Sequence, residues 1–418
     1  MGHGAFAPIM KLFTLPNGLR VIIRQTPDNP VSAAHLFLVE GAATETERER
    51  GVTTLMWALL LKGTKRRSAR EIAEDLEGLG AHLSGGASHD NSQASCHAVV
   101  DYFPQALDIF AETLIEPAHL PGEVEKEKIA HMAAIQAKKE SIHAVAQDIL
   151  NKRLFGDHPY GTPALGLEKP VSELTPAAVS ARHKRVMVPN GAILSIASPL
   201  SAGRLMPLIR QLFGPKRWPK AKTKPAALKK TSAKITTQAL LEKHPFEQAY
   251  LMIGFPSIPI SSKDYVPLKL LASLLGGGMS SRLFQSLREE RGLAYDVGTF
   301  LPGRKSGSAF VVYMGLQPAK REEAKREILK ELKRIQTEKI PIDELNGVKN
   351  YFKGSFILDH QTNSQLSYYV AWGLNAGKGM HYEKNFLKQI DQATPASLQR
   401  AARATFSKPS ITVEIVPK

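Results

Sequence analysis

Apolar positions along this chain follow two alternating periods, and the alternation is written twice. Ala33–Gly41 (AAHLFLVEG) and Gln248–Phe255 (QAYLMIGF) are apolar runs of strand length. Each leads into an almost wholly apolar helix, 51–62 and 264–275, stopped by Gly63 and Gly276. A helix that is apolar all round belongs inside a domain rather than on its surface. A second helix follows in each copy. In the first, Ser68–Leu79, the residues Ile72, Leu76, Leu79 and Leu83 share one face, and Ser68 and Glu71 have capping-box spacing. In the second it is Ser281–Glu290.

Strands Ala94–Val100 and Ala309–Gly315 come next. Then a proline turn, Phe103-Pro104 or Gln317-Pro318, opens another helix, and these two prolines lie 214 residues apart. The copies also close alike. Thr175-Pro176 opens a helix that leads through Pro189 to a strand at Ala192–Ala197. Thr394-Pro395 opens one that leads through Pro409 to a strand at Ile411–Ile415. In both, Thr is placed to cap and Pro sits at the first helical position.

The repeat predicts two homologous α+β domains, 1–213 and 235–418, joined by a linker at 214–234. A chain of 418 residues suits two cores. Strands within a copy are mostly not separated by single crossover helices, so each sheet is expected to be mixed or antiparallel with helices packed on a face. Two like domains on a linker leave a cleft, a default place for a ligand.

Charge changes this picture little. The net charge is +16, but residues 215–234 carry eight Lys/Arg and no acid; setting them aside leaves +8 over the rest. A Lys/Pro/Ala segment of this kind is most simply an extended, solvated linker. Contact with an acidic partner and contact with nucleic acid are the weaker readings, and no nucleic-acid partner is expected. No apolar run approaches the ~20 residues of a membrane span. The single Cys96, in a strand-like setting with no base placed beside it, reads as a buried structural thiol rather than a nucleophile. The start, Met1-Gly-His-Gly, has no basic and apolar signal pattern, although Ala5-Phe6-Ala7 matches the end of a cleavage site.

Several segments, in order, resemble the pitrilysin/insulinase family of zinc peptidases, in its half-length bacterial branch related to mitochondrial processing peptidase. They are Asn17-Gly18-Leu19-Arg20-Val21, His158-Pro159-Tyr160-Gly161, and Gly276-Gly277-Gly278 running on through Arg288 to Tyr295. The resemblance covers nearly the whole chain. It implies that the two copies together form one half of a four-domain clamshell.

The family is built for H-x-x-E-H on a helix. Two His at i, i+4 reach one zinc, the Glu between them activates the bound water, and a Glu about 76 residues on completes the ligands. Here the frame survives as Gly51-Val-Thr-Thr54-Leu-Met-Trp57-Ala58-Leu-Leu-Leu-Lys62-Gly63-Thr64, but the chemical positions hold Thr54, Trp57 and Ala58. The remote glutamate falls on Ala134. Thr is a poor zinc ligand, the indole offers only an N–H donor, and alanine offers nothing. The expectation is a filled cavity, with Trp57 where the catalytic water would sit, and no metal held by this chain. The thirteen histidines contain no H-x-x-E-H or H-x-x-x-H. His82 and His89 flanking a Gly-rich strand, His97, His131 and His143 read as structural or surface histidines. The triple glycine 276–278 is no phosphate loop, because no G-K-[ST] follows.

What the resemblance retains is Arg288 and Tyr295. In the family a pair at this spacing contacts the peptide carbonyl and its growing negative charge from the second half of the clamshell. By composition alone they are a surface Arg in a charged run and a core Tyr. Residues 80–92 correspond to the family's edge strand that pairs with substrate, although Gly85 and Gly86 weaken a strand.

The expected function is therefore the non-catalytic subunit of a heterodimeric zinc metallopeptidase. It would complete the peptide chamber of a catalytic H-x-x-E-H homologue, which would bind the zinc. A structural scaffold of the same fold is the alternative. The branch and the Ala5–Ala7 pattern favour a periplasmic location.

Overall fold

Strands β1 (Met10–Thr14), β2 (Arg20–Gln25), β3 (Val31–Leu38), β4 (His82–Ala87), β5 (Ser92–Val99) and β6 (Ile193–Ser198) form one sheet, in the order β1-β2-β6-β3-β5-β4. Strands β7 (Gln238–His244), β8 (Ala249–Ser257), β9 (Ala294–Phe300), β10 (Ser308–Leu316) and β11 (Ile411–Pro417) form a second, in the order β7-β11-β8-β10-β9. One parallel pair in each, β2 with β6 and β7 with β11, makes both sheets mixed. Apart from β1, the two orders are the same pattern, so the repeat in the sequence is a repeat in the fold. The structure, a computed structural model, describes residues 10–222, 225, 226, 228, 230, 231 and 235–418. Ala5-Phe6-Ala7 and part of the basic linker lie outside the described residues.

The helices of the first repeat are α1 (Val52–Ala58), α2 (Ala69–Gly78), α3 (Phe103–Ile115), α4 (Pro121–Lys138), α5 (Ile142–Phe155), α6 (Glu168–Ser172), α7 (Pro176–Val186) and α8 (Ala202–Phe213). The second repeat has α9 (Tyr265–Gly276), α10 (Arg321–Thr337), α11 (Ile342–Leu358), α12 (Asn363–Asn375), α13 (Tyr382–Gln392) and α14 (Pro395–Phe406). The caps are where the spacing put them. Ser68 and Glu71 form a capping box, Thr175 Oγ1 accepts from the Ala178 amide, and Thr394 Oγ1 accepts from the Ser397 amide.

Two boundaries differ from expectation. The helix expected over 51–62 ends at Ala58. Beyond it the amides of Leu59, Leu60 and Lys62 bond three residues back, to Met56, Trp57 and Leu59, which tightens the chain into Gly63 at φ +111°. The helix expected over Ser281–Glu290 contains a π-helix, Phe284–Glu289.

The chain forms two compact units, and neither is continuous in sequence. One holds residues 1–135, 164–227 and 358–383; the other holds 136–163, 228–357 and 384–418. Each unit thus takes one helix from the opposite repeat. In the first unit the main core joins Leu36, Ala94 and Cys96 on one sheet face to Leu55, Leu107 and Phe110. The other face carries α12, whose Val370 and Ala371 pack on Ile22, Phe37 and Ile193. In the second unit Phe255 and Phe310 face Phe406 of α14. The opposite face carries α5, with Leu150 and Leu154 lying over Gly254.

Candidate functional site

The start of α1 is held by a buried carboxylate. Glu45 accepts from the amides of Gly51 (3.0 Å) and Thr53 (2.8 Å), which fits an acid at a helix N-terminus. Burial raises its pKa above the usual carboxylate value, against those hydrogen bonds and Arg182, which lower it. Arg182, itself buried, donates to Thr53 Oγ1, the Gly41 carbonyl and Thr44 Oγ1 at 2.8–2.9 Å. The helix is therefore fixed at its first turn by side chains from outside it.

Thr54, Trp57, Ala58 and Ala134 stand as follows. Thr54 is half-buried, and its hydroxyl donates 2.8 Å to the Ala164 carbonyl. Trp57 is buried, and its Nε1 has no hydrogen-bond partner. Ala58 and Ala134 are exposed. On α4, His131 lies beside Ala134 in sequence, but its Nε2 is 2.6 Å from the Leu165 carbonyl, and burial holds its pKa down. This donor set does not fit a zinc ion. The one oxygen in it already serves a carbonyl, and the indole occupies space against β4. Among the described residues no group of three or more His, Cys, Asp or Glu is placed to hold a metal.

The Trp57 ring lies on Gly85 of β4 so closely that a Cβ there would stand 2.4 Å from Cε3. β4 is the last strand of its sheet and pairs with β5 alone, so one side of its backbone is an open edge. Beside it lies a pocket of about 460 Å³, lined by Trp57, Ala58, Leu61, Ile72, Ala73 and Gly85 among others. An open strand edge supplies main-chain hydrogen bonds, and an apolar pocket next to it supplies side-chain selection; together they suit an extended peptide.

Arg288 and Tyr295 sit in the second unit, at the exposed end of its sheet. Arg288 is in the π-helix, where the Glu290 amide reaches five residues back to the Gln285 carbonyl (2.9 Å). π-Bulges are frequent at functional sites. Its guanidinium lies over the Phe284 ring, 4.9 Å from the centroid. The chain then folds back through Gly292 (φ +57°), with the Leu293 amide on the Leu287 carbonyl at 2.8 Å. That leads into β9, the edge strand on which Tyr295 is 51% exposed. Tyr295 is thus not a core aromatic. Neither side chain has a hydrogen-bond partner among the described residues.

The sequence reading missed the exchange of α5 and α12, and the meeting of His82 with His97 across β4 and β5. Gly254 inside an apolar strand was the available signal for the first, since an interior strand glycine marks a close approach.

Two family models match the chain. One, described as insulinase (peptidase family M16), matches residues 20–168; the other, described as peptidase M16 inactive domain, matches residues 173–352. A Bacillus subtilis protein described as an uncharacterized zinc protease is 27% identical over 360 residues, 86% of this chain and 87% of its own. A Mycobacterium tuberculosis protein of the same description is 28% identical over 400 residues, 94% of this chain and 90% of its own. The fold is similar to that of a protease from Helicobacter pylori, with TM-score 0.92, 20% identity, and coverage of 98% of this chain and 100% of that one. It is also similar to a peptidase M16 inactive domain from Pseudomonas fluorescens, with TM-score 0.91, 22% identity and 98% coverage of each.

Proposed function

The chain belongs to the insulinase (M16) peptidase family, and from that premise we propose that it is the non-catalytic subunit of a heterodimeric zinc metallopeptidase. The zinc and the general base come from a catalytic H-x-x-E-H homologue. This chain binds peptide beside β4 and offers Arg288 and Tyr295 to the partner's reaction.

The observation that carries the reading is a contrast. The helix that would hold zinc has no free ligand, because Thr54 is tied to Ala164 and Trp57 is packed on Gly85. The Arg288/Tyr295 pair is exposed and has no hydrogen-bond partner among the described residues. A guanidinium and a phenol are hydrogen-bond donors, and donors aimed at developing negative charge are worth a few kcal/mol in a transition state. A pure scaffold has no use for such a pair. Among the described residues no helix is long and apolar enough to cross a membrane. A periplasmic location belongs to the same proposal and is read by cell fractionation.

The test is cleavage of a quenched peptide with zinc present, by this chain alone and by this chain mixed with the H-x-x-E-H homologue of the same organism. Activity only in the mixture is the expected result. Chelator-sensitive activity from this chain alone would overturn the reading. A partner as fast by itself as in the mixture would leave the scaffold.

A further inference from the structure

The β4–β5 register sets His82 directly opposite His97. Their ring centroids are 5.1 Å apart and the planes are tilted by 39°. Side chains alternate across a strand. Leu83, Gly85 and Ala87 therefore turn toward α1 and the core, while His82 and Ser84 lie on the opposite face of the sheet. His82 is exposed and His97 half-buried. The Nδ1 of His97 is buried without a hydrogen-bond partner, a desolvation cost that nothing in the strand pair offsets.

The surroundings leave the pair available. Ser84 and Ser95, the cross-strand pair two residues along, bond each other at 2.8 Å. His35 on β3 has its Nδ1 2.8 Å from Ser367 Oγ.

We propose that His82 and His97 form a two-imidazole site for a divalent transition-metal ion that prefers nitrogen, on the sheet face opposite Trp57. Paired imidazoles with no carboxylate select the copper, nickel and zinc class over calcium or magnesium. Water fills the remaining positions. The bound ion ties β4, an edge strand carrying Gly85 and Gly86, to its one neighbour. The site is separate from the degenerate α1 positions and has no part in peptide hydrolysis.

The probe is Cu(II) nitrilotriacetate, added to the full chain and followed by electron paramagnetic resonance and calorimetry. The chelate leaves only a pair of adjacent copper positions, which two imidazoles fill. The expected result is one chelate bound per chain. Loss of the hydrogen-bond partner behind a metal ligand alone weakens metal sites about 10–100-fold. His82→Ala and His97→Ala are each expected to weaken binding at least about tenfold, and His381→Ala to leave it unchanged. Since His82 is exposed, His82→Ala carries the test even if the His97 variant fails to fold. Free Zn(II) is expected to raise the melting temperature of the wild type but not of His82→Ala. No binding by the wild type at millimolar chelate, or equal binding by His82→Ala, would overturn the proposal.

Discussion

The indole of Trp57 rests on the backbone of Gly85, where a Cβ would come within 2.4 Å of Cε3 and 2.7 Å of Cζ3. The two residues are one adaptation seen from two elements. A large ring on α1 can face β4 only if β4 has no side chain at the point of contact. In the sequence Gly85 looks like a weak spot in a strand, but in the fold it is what admits the ring.

Gly85→Ala should therefore be destabilising, although alanine is the better strand residue. Forcing a Cβ against the packed indole costs about 1–3 kcal/mol, the range of overpacking. The cost should shrink when Trp57→Ala is present as well, because the obstructing atoms are gone. Urea unfolding of the wild type, both single variants and the double variant measures the coupling. Strictly additive effects would mean that the two residues do not oppose each other.

Arg288→Ala and Tyr295→Phe should leave stability within about ±0.5 kcal/mol, since both side chains are exposed and Arg288 touches only the Phe284 ring of its own turn. In the mixed peptidase assay each should lower kcat far more than it changes KM. Removing one donor to an oxyanion costs about 10²–10³ in rate. If the mixed complex kept its full rate with both substitutions, the pair would have no catalytic use.

The repeat, the caps and most strands could be read from periodicity and turn chemistry, because these are local properties. The proposal for α1 rests on a different kind of signal. A frame of ordinary residues, Gly51 to Thr64, kept its spacing while the chemical positions changed. The exchange of α5 and α12 was not legible. Neither helix carries a sharply defined apolar face, and nothing local says which sheet it covers. His82 and His97 were visible only as separate residues until the hairpin register brought them together.

The exchanged helix α5 nevertheless left one testable mark. A Cβ at Gly254 would stand 2.9 Å from both Leu150 Cδ1 and Leu154 Cδ1. Both are mobile side-chain ends, so Gly254→Ala should cost only about 1 kcal/mol, whereas Gly254→Val should cost about 2–3 kcal/mol. Shortening Leu150 to Ala should recover part of the valine penalty. Thermal melts of these variants decide it. If Leu150→Ala gave no rescue, α5 would not be seated on Gly254.

His35 connects stability to pH. It is buried between β3 and α12, with Nδ1 2.8 Å from Ser367 Oγ and Tyr368 edge-on at 5.6 Å. Burial, with like charge from His97, lowers its pKa to about 4. The unfolded chain, with an ordinary histidine near 6.5, therefore takes up the proton first. The sign follows. The contribution is fully present above pH 6.5 and is lost as pH falls toward 4, by up to about 3 kcal/mol. His183, also held near 4 by burial, adds in the same direction. The free energy of unfolding should thus drop across that window. His35→Gln removes the titration, so its stability should fall less steeply with acid even though it starts lower at pH 7. An equal slope in the variant would mean that acid acts elsewhere, and that the seat of α12 on β3 does not depend on a neutral imidazole.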